Sequence, residues 1–343
     1  MKTVGVDLWG GQMRGSGLNG PTRMVSAPIP RTRTVRELFV RAYAKFADAC
    51  RAVDEPGVAL VAVDETTGHA AGLARIRARV DRHVAAIVGR HDACDLYLAA
   101  HERLALRHLV VVVDPVTSWK RGDSGVSFRM LDLRTGEGMI DEEGRTLRGL
   151  RAEGPVVIRC GGYTIFALPL GDPTDWPASA DDAWACLPER VYFDELERVP
   201  QGSLVRLPMV RPAGRTITSV VHRTHGPWDT GMQLVTGGDV AGTLVVRGPR
   251  GGGQILVGQQ ALSDGVLLGR YGRCDSAELG GDESVSRVHA LLLLVGERLL
   301  AIDTSSTNGS REVGHKNARV IEVHGGSNLE LGFKTHLRWS WAS

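Results

Sequence analysis

The chain has 343 residues, enough for two or three domains that each bury a core of their own. Apolar residues make up 43% and charged residues 23%, the balance of an ordinary soluble globular protein, and a net charge of +2 is too small to imply a nucleic-acid or membrane partner. Runs such as Leu109–Val113 and Ala290–Val295 are far too short to span a bilayer, and Met1–Asp7 lacks the pattern of a secretory signal. The five cysteines, Cys50, Cys94, Cys160, Cys186 and Cys274, are widely spaced with no CxxC pair, so neither a disulfide framework nor a zinc site is expected. The expectation is a cytoplasmic protein without metal or cofactor.

In chain order, a basic stretch, Pro30–Thr34, is either a kinase target at Thr32 or Thr34 or simply a helix cap on a solvated arm. Val35–Val53 follows, with Leu38, Phe39, Ala42, Phe46, Ala49 and Cys50 on one face at helical spacing. Thr34 and Glu37 have the spacing of a capping box. Short apolar runs then succeed one another: Ile76–Val80, Leu109–Val113, Phe128–Leu131, Val156–Ile158 and Tyr163–Leu168. The mixed segment Pro169–Ala241 predicts a loop around Asp172–Pro177, partial helix within Asp181–Glu197, and strands at Leu204–Leu207 and Thr216–Val221. Further runs lie at Ala290–Val295, Leu299–Ile302, Val320–Val323 and Leu329–Leu331. Short strands separated by turns every ten residues or so predict antiparallel sandwiches or barrels.

An internal repeat organises these strands. Gly89-Arg90-His91-Asp92-Ala93-Cys94-Asp95 matches Gly269-Arg270-Tyr271-Gly272-Arg273-Cys274-Asp275 in Gly, Arg, Cys and Asp at a constant offset of 180. His108 follows Arg90 by 18 residues and His289 follows Arg270 by 19. Asp132–Gly138 then parallels Asp303–Gly309, and the first copy carries an insert at about Pro115–Gly125. Two copies of one domain are therefore expected.

In the second copy, Gly269-Arg270, Ser286-Arg287-Val288-His289 and Ser306-Thr307-Asn308-Gly309 occur in order. Singly, each is ordinary: a surface charge, a chance tetrapeptide, a hairpin turn. Together they resemble the signature of the forkhead-associated (FHA) family over about Gly242–Trp341. The resemblance implies a β-sandwich that binds phosphothreonine. In that reading Arg270 and Arg287 supply cations, Ser286 and Thr307 hydroxyls, and Asn308 a grip on the peptide backbone. It also implies that Gly269, His289 and Gly309 shape the loops.

The expected fold is mainly β: an arm and helix over 1–74, a degenerate FHA-like sandwich over 75–170, a connecting region over 171–241 and an FHA domain over 242–343. In the first copy Ala105 stands at the serine position, Leu106 at the following arginine position with Arg107 one place later, and Gly136 and Glu137 where the hydroxyl and asparagine belong. Carboxylate repels phosphate, so this copy is expected to be a phospho-independent interaction or dimerisation surface, or a platform for the second. Asp64-Glu65-Thr66-Thr67-Gly68 resembles the phosphoacceptor of small bacterial FHA regulators, with Thr66 or Thr67 as acceptor, or else is a strand-ending turn. Such regulators suggest a bacterial source. His101–His108 lacks HExxH spacing, and no nucleotide loop or nucleophile elbow is present, so no enzyme is expected. The expected function is a phosphothreonine-dependent adaptor acting on a partner marked by a Ser/Thr kinase. The alternative is an assembly component that uses both sandwiches without phosphate.

Overall fold

The computed structural model describes residues 33–117, 125–188, 190, 192–194, 221–224, 232–235, 239–249, 251–276, 279 and 281–342. Helix α1 (Val35–Arg51) begins where the sequence places it. The Thr34 hydroxyl accepts from the Glu37 amide at 3.2 Å, and the Glu37 carboxylate accepts from the Thr34 amide at 2.8 Å. Two otherwise orphaned donors are thereby satisfied. Its apolar stripe, Leu38, Phe39, Ala42, Tyr43, Phe46, Ala47 and Cys50, is buried.

The strands form four sheets. In sheet I the order is Ala70–Arg77, Gly57–Asp64, Tyr163–Leu170, Val156–Cys160, Met139–Ile140, Thr146–Leu147. Sheet II runs Tyr192–Asp194, Gly149–Ala152, Phe128–Asp132, Leu109–Val113, Val84–Gly89, Leu96–Tyr97. Sheet III runs Val266–Leu268, Ala290–Val295, Arg298–Asp303, Val320–Val323. Sheet IV runs Val221–Thr224, Met232–Val235, Gly251–Gly258, Val240–Gly248, Thr335–Trp341, Asn328–Leu331, Ser310–Glu312. Among the described residues, pairing is antiparallel except between Met232–Val235 and Gly251–Gly258, and between Val84–Gly89 and Leu96–Tyr97. The protein is mainly β, as expected.

Four apolar clusters stack α1 and the four sheets into five successive layers. The α1 stripe packs on Ala59, Val61, Val63, Phe166 and Leu168 of sheet I. The opposite face of the same strands, Val58, Leu60, Ala62, Ile165 and Ala167, packs on Leu109, Val111, Val113, Phe128 and Met130 of sheet II, making the first sandwich. Sheets III and IV enclose the second core through Leu268, Ala290, Leu292, Leu299, Ala301, Leu244, Val246, Ile255, Leu337 and Trp339. Between the sandwiches, Ala85, Ile87, Val110, Val112, Leu131 and Leu133 of the first copy meet Leu267, Val288, Leu291, Leu293, Leu300 and Ile302 of the second. Leu109–Val113 and Ala290–Val295 alternate inward and seam-facing side chains, and both directions are apolar. That is why these strands carry unbroken apolar runs.

Gly57–Asp64 and Ala70–Arg77 both begin before residue 75, and the former, buried along its entire length, is central to sheet I. In the connecting region, helix α2 (Ala180–Cys186) sets Trp184 against Phe39 with ring centroids 5.2 Å apart. Tyr192–Asp194 extends sheet II at its edge. The expected strand Leu204–Leu207 and most of Thr216–Val221 lie outside the described residues, as do Thr32 and most of the insert. Among the described residues no helix is long and apolar enough to cross a membrane.

Candidate functional site

Three segments at one end of the second sandwich carry the predicted residues. The first leaves strand Val266–Leu268 at Gly269, where an added Cβ would lie 2.3 Å from the Arg287 carbonyl oxygen. Only glycine permits that approach. The two backbones are then stitched together: the Arg270 amide donates to the Ser286 carbonyl at 3.2 Å and the Tyr271 amide to the Arg287 carbonyl at 3.0 Å.

The second segment ends at His289, which is fully buried. Its Nδ1 accepts from the Ser286 amide at 2.9 Å, which fixes the proton on Nε2, aimed at the Gly309 carbonyl at 3.1 Å. Burial holds its pKa below the ordinary histidine value, partly offset by Asp303. One neutral ring thus ties the second segment to the third, the bracing role that the resemblance implies.

In the third segment Asp303 accepts from the Ser306 amide (2.8 Å), the Ser306 hydroxyl (2.6 Å) and the Ser310 hydroxyl (2.7 Å). Ser306 Oγ in turn accepts from the Gly309 amide at 3.0 Å. The turn presents Thr307 and Asn308. The Thr307 amide donates to Ser286 Oγ at 3.0 Å, and the two hydroxyl oxygens lie 3.4 Å apart. Asn308 Nδ2 donates to the Ser284 carbonyl at 2.8 Å. Gly309 has φ of +77°, and a Cβ there would collide with Asn317.

Ser286, Thr307 and Asn308 are therefore brought together directly. Arg270 and Arg287 join them through the backbone stitches, with both side chains exposed. Among the described residues neither guanidinium has an ion-pair or hydrogen-bond partner. Two exposed guanidiniums, unpaired among the described residues and carried on the same segments as the hydroxyls and the amide, suit a dianionic group with several acceptor oxygens.

The first sandwich repeats much of this framework. An added Cβ on Gly89 would lie 2.3 Å from the Leu106 carbonyl oxygen, and the Arg90 and His91 amides donate to the Ala105 and Leu106 carbonyls at 3.1 and 3.0 Å. His108 Nδ1 accepts from the Ala105 amide at 3.1 Å. Asp132 accepts from the Thr135 hydroxyl as Asp303 does from Ser306. Arg134 and Ser305, each two residues after its aspartate, share left-handed φ values of +56° and +63°. The functional groups differ. Arg90 Nε is spent on the Leu104 carbonyl at 2.9 Å, Glu137 lies 3.4 Å from Arg103, and Ala105 and Gly136 bear no hydroxyl.

No protein-family model and no curated protein matches the chain. Among solved structures it is similar to the Slr1951 protein from Synechocystis (22% identity, TM-score 0.26, 30% of this chain and 98% of that one). It is similar also to FHA-1 of Rv1747 from Mycobacterium tuberculosis (22%, 0.24, 30% and 99%). A third is EmbR of the same organism in complex with a low-affinity phosphopeptide (17%, 0.25, 29% and 25%). Several of the solved structures it resembles are FHA domains.

The three sequence segments contain the residues of this cluster, but they give no role to Arg107, Arg134 or Arg273. By the repeat Arg107 matches the buried Val288, and Leu106, 36% exposed, takes the place of Arg287. Arg107 is only 7% exposed and lies in the seam. Its signal was the apolar character of both faces of Leu109–Val113, which implies a covering layer. Glu65–Gly68 forms the hairpin turn between Gly57–Asp64 and Ala70–Arg77. There Asp64 accepts from the Thr66 and Thr67 amides at 2.8 Å each, and Glu65 pairs with Arg159.

Proposed function

We propose that the second sandwich binds a phosphothreonine-bearing segment of a partner protein, marked by a Ser/Thr kinase, and that the first sandwich binds none. The observation that carries this reading is the pair of exposed guanidiniums, Arg270 and Arg287, unpaired among the described residues on segments whose backbones are stitched to the Ser286–Thr307–Asn308 cluster. The phosphate would meet Arg270, Arg287 and the two hydroxyls, with Asn308 Oδ1 left to accept from the peptide backbone. In the first sandwich the same locations hold an engaged arginine, a carboxylate and two positions without hydroxyls, which supports silence toward phosphate.

The test is capture on degenerate peptide libraries by the full chain, with phosphothreonine, phosphoserine and unphosphorylated pools run in parallel. Selective retention of the phosphothreonine pool is expected. Equal retention of all three, or partner complexes that survive phosphatase treatment unchanged, would instead favour an assembly role independent of phosphate.

A further inference from the structure

We propose that the first sandwich serves as a built-in brace, holding the three motif segments of the second sandwich in peptide-binding geometry, with Arg107 as the positioning residue. The inference rests on the phosphothreonine reading above and adds what regulates the quality of that site.

Each segment of the site is held from across the seam. In the first, Arg273 Nη1 donates to the Arg134 carbonyl at 3.1 Å. Arg134 returns the contact, with Nη1 2.5 Å from Asp275 Oδ1 and Nη2 3.0 Å from the Gly265 carbonyl. In the second, Val288, between Arg287 and His289, is buried in the apolar seam. In the third, Arg107 Nε donates to the Thr304 carbonyl at 2.7 Å and the Ser305 carbonyl at 3.2 Å, while Nη2 donates to the Ser305 carbonyl at 2.6 Å. Thr304 and Ser305 lead directly into Ser306, Thr307 and Asn308.

Arg107 is a costly way to close a seam. Burying a guanidinium forfeits its hydration, and among the described residues no carboxylate lies within ion-pair distance of it. Its partners are two carbonyls of a loop in which Ser305 adopts the left-handed conformation uncommon outside glycine. Arg319 fastens the same turn from outside, donating to the Asp303 carbonyl and to Ser305 Oγ at 2.9 Å each, with Asp95 of the first sandwich 3.4 Å away. The two sides of the seam are not equivalent. At the position matching Arg107 the second sandwich has valine, which is all that apolar packing requires. Among the described residues, the hydrogen bonds of the arginine all go to the loop of the intact motif.

The test uses the full chain with Arg107→Met, which keeps the stem and removes the donors. Binding of a fluorescein-labelled degenerate phosphothreonine pool is followed by anisotropy, and exchange of the 304–309 amides by mass spectrometry. The brace predicts about tenfold weaker binding and faster exchange confined to that loop, as the binding-competent population falls. Partial recovery is expected in Arg107→Lys, which retains a donor. A folded Arg107→Met protein with wild-type affinity and exchange would overturn the proposal. Should that variant fail to fold, Arg107→Lys and Arg134→Ala decide, and unchanged affinity in both would overturn it equally. If the wild type binds no phosphothreonine pool, the reading of the site falls. Loop exchange in Arg107→Met then judges the brace separately.

Discussion

Arg90 gives its Nε to the Leu104 carbonyl, whereas Arg270, at the same point of the repeat, has no side-chain partner among the described residues. Equivalent backbone geometry thus leaves one arginine engaged and the other, among the described residues, without a side-chain partner. Asn308→Asp would place a carboxylate where the first sandwich has Glu137. It should lower phosphopeptide affinity more than tenfold, read by calorimetric titration, because a carboxylate then stands next to the proposed phosphate position. The two buried histidines add a pH dependence. Burial depresses the pKa of both His108 and His289. An unfolded chain takes up these protons near pH 6.5, before the folded one does, so stability is lost as pH falls below about 6.5. The thermal midpoint should drop between pH 7 and pH 5, and His289→Asn should flatten that drop. The clustering of Ser286, Thr307 and Asn308 was legible because the segments that carry them follow the order of a known signature. The role of Arg107 was not: the repeat sets it at the position of Val288, but nothing local in the sequence marks the Thr304 and Ser305 carbonyls across the seam as its partners.

Helix α1 and most strands could be read from periodicity and capping. Thr34 and Glu37 form the capping box that their spacing implies, so Thr34→Ala should cost about 1 kcal/mol in urea denaturation. Gly57–Asp64 was not singled out, although Val58–Val63 is an unbroken apolar run; its residues alternate between the α1 face and the first core, both apolar. Leu109–Val113 and Ala290–Val295 share that property at the seam. Leu293, fully buried there, should cost about 2–5 kcal/mol when changed to alanine, as does a cavity in any close-packed core. Sequence shows that such a run is covered on both faces, but not by what. The partner sheet lies about 180 residues away in the chain and is fixed only by tertiary packing.

The seam makes the two sandwiches neighbours through an apolar layer, with Arg134–Asp275 and Arg319–Asp95 at its polar margin. A shared apolar layer couples the stabilities of the parts it joins. Calorimetry of the full chain should therefore show one unfolding transition, with Leu293→Ala lowering it as a unit. Two separated transitions would mean that the sandwiches unfold independently and that the seam contributes little. The repeat was visible in sequence, but the packing of its copies face to face was not, because the matching residues describe the loops and not the surfaces between them.

The most direct measurement is a binding titration of the phosphothreonine pool against the wild type, Arg270→Ala and Arg90→Ala. Truncating Arg270 should cost on the order of 2–5 kcal/mol and remove detectable binding, while Arg90→Ala should bind as the wild type does. Retained affinity in Arg270→Ala, or its loss in Arg90→Ala, would contradict the assignment of phosphate recognition to the second sandwich.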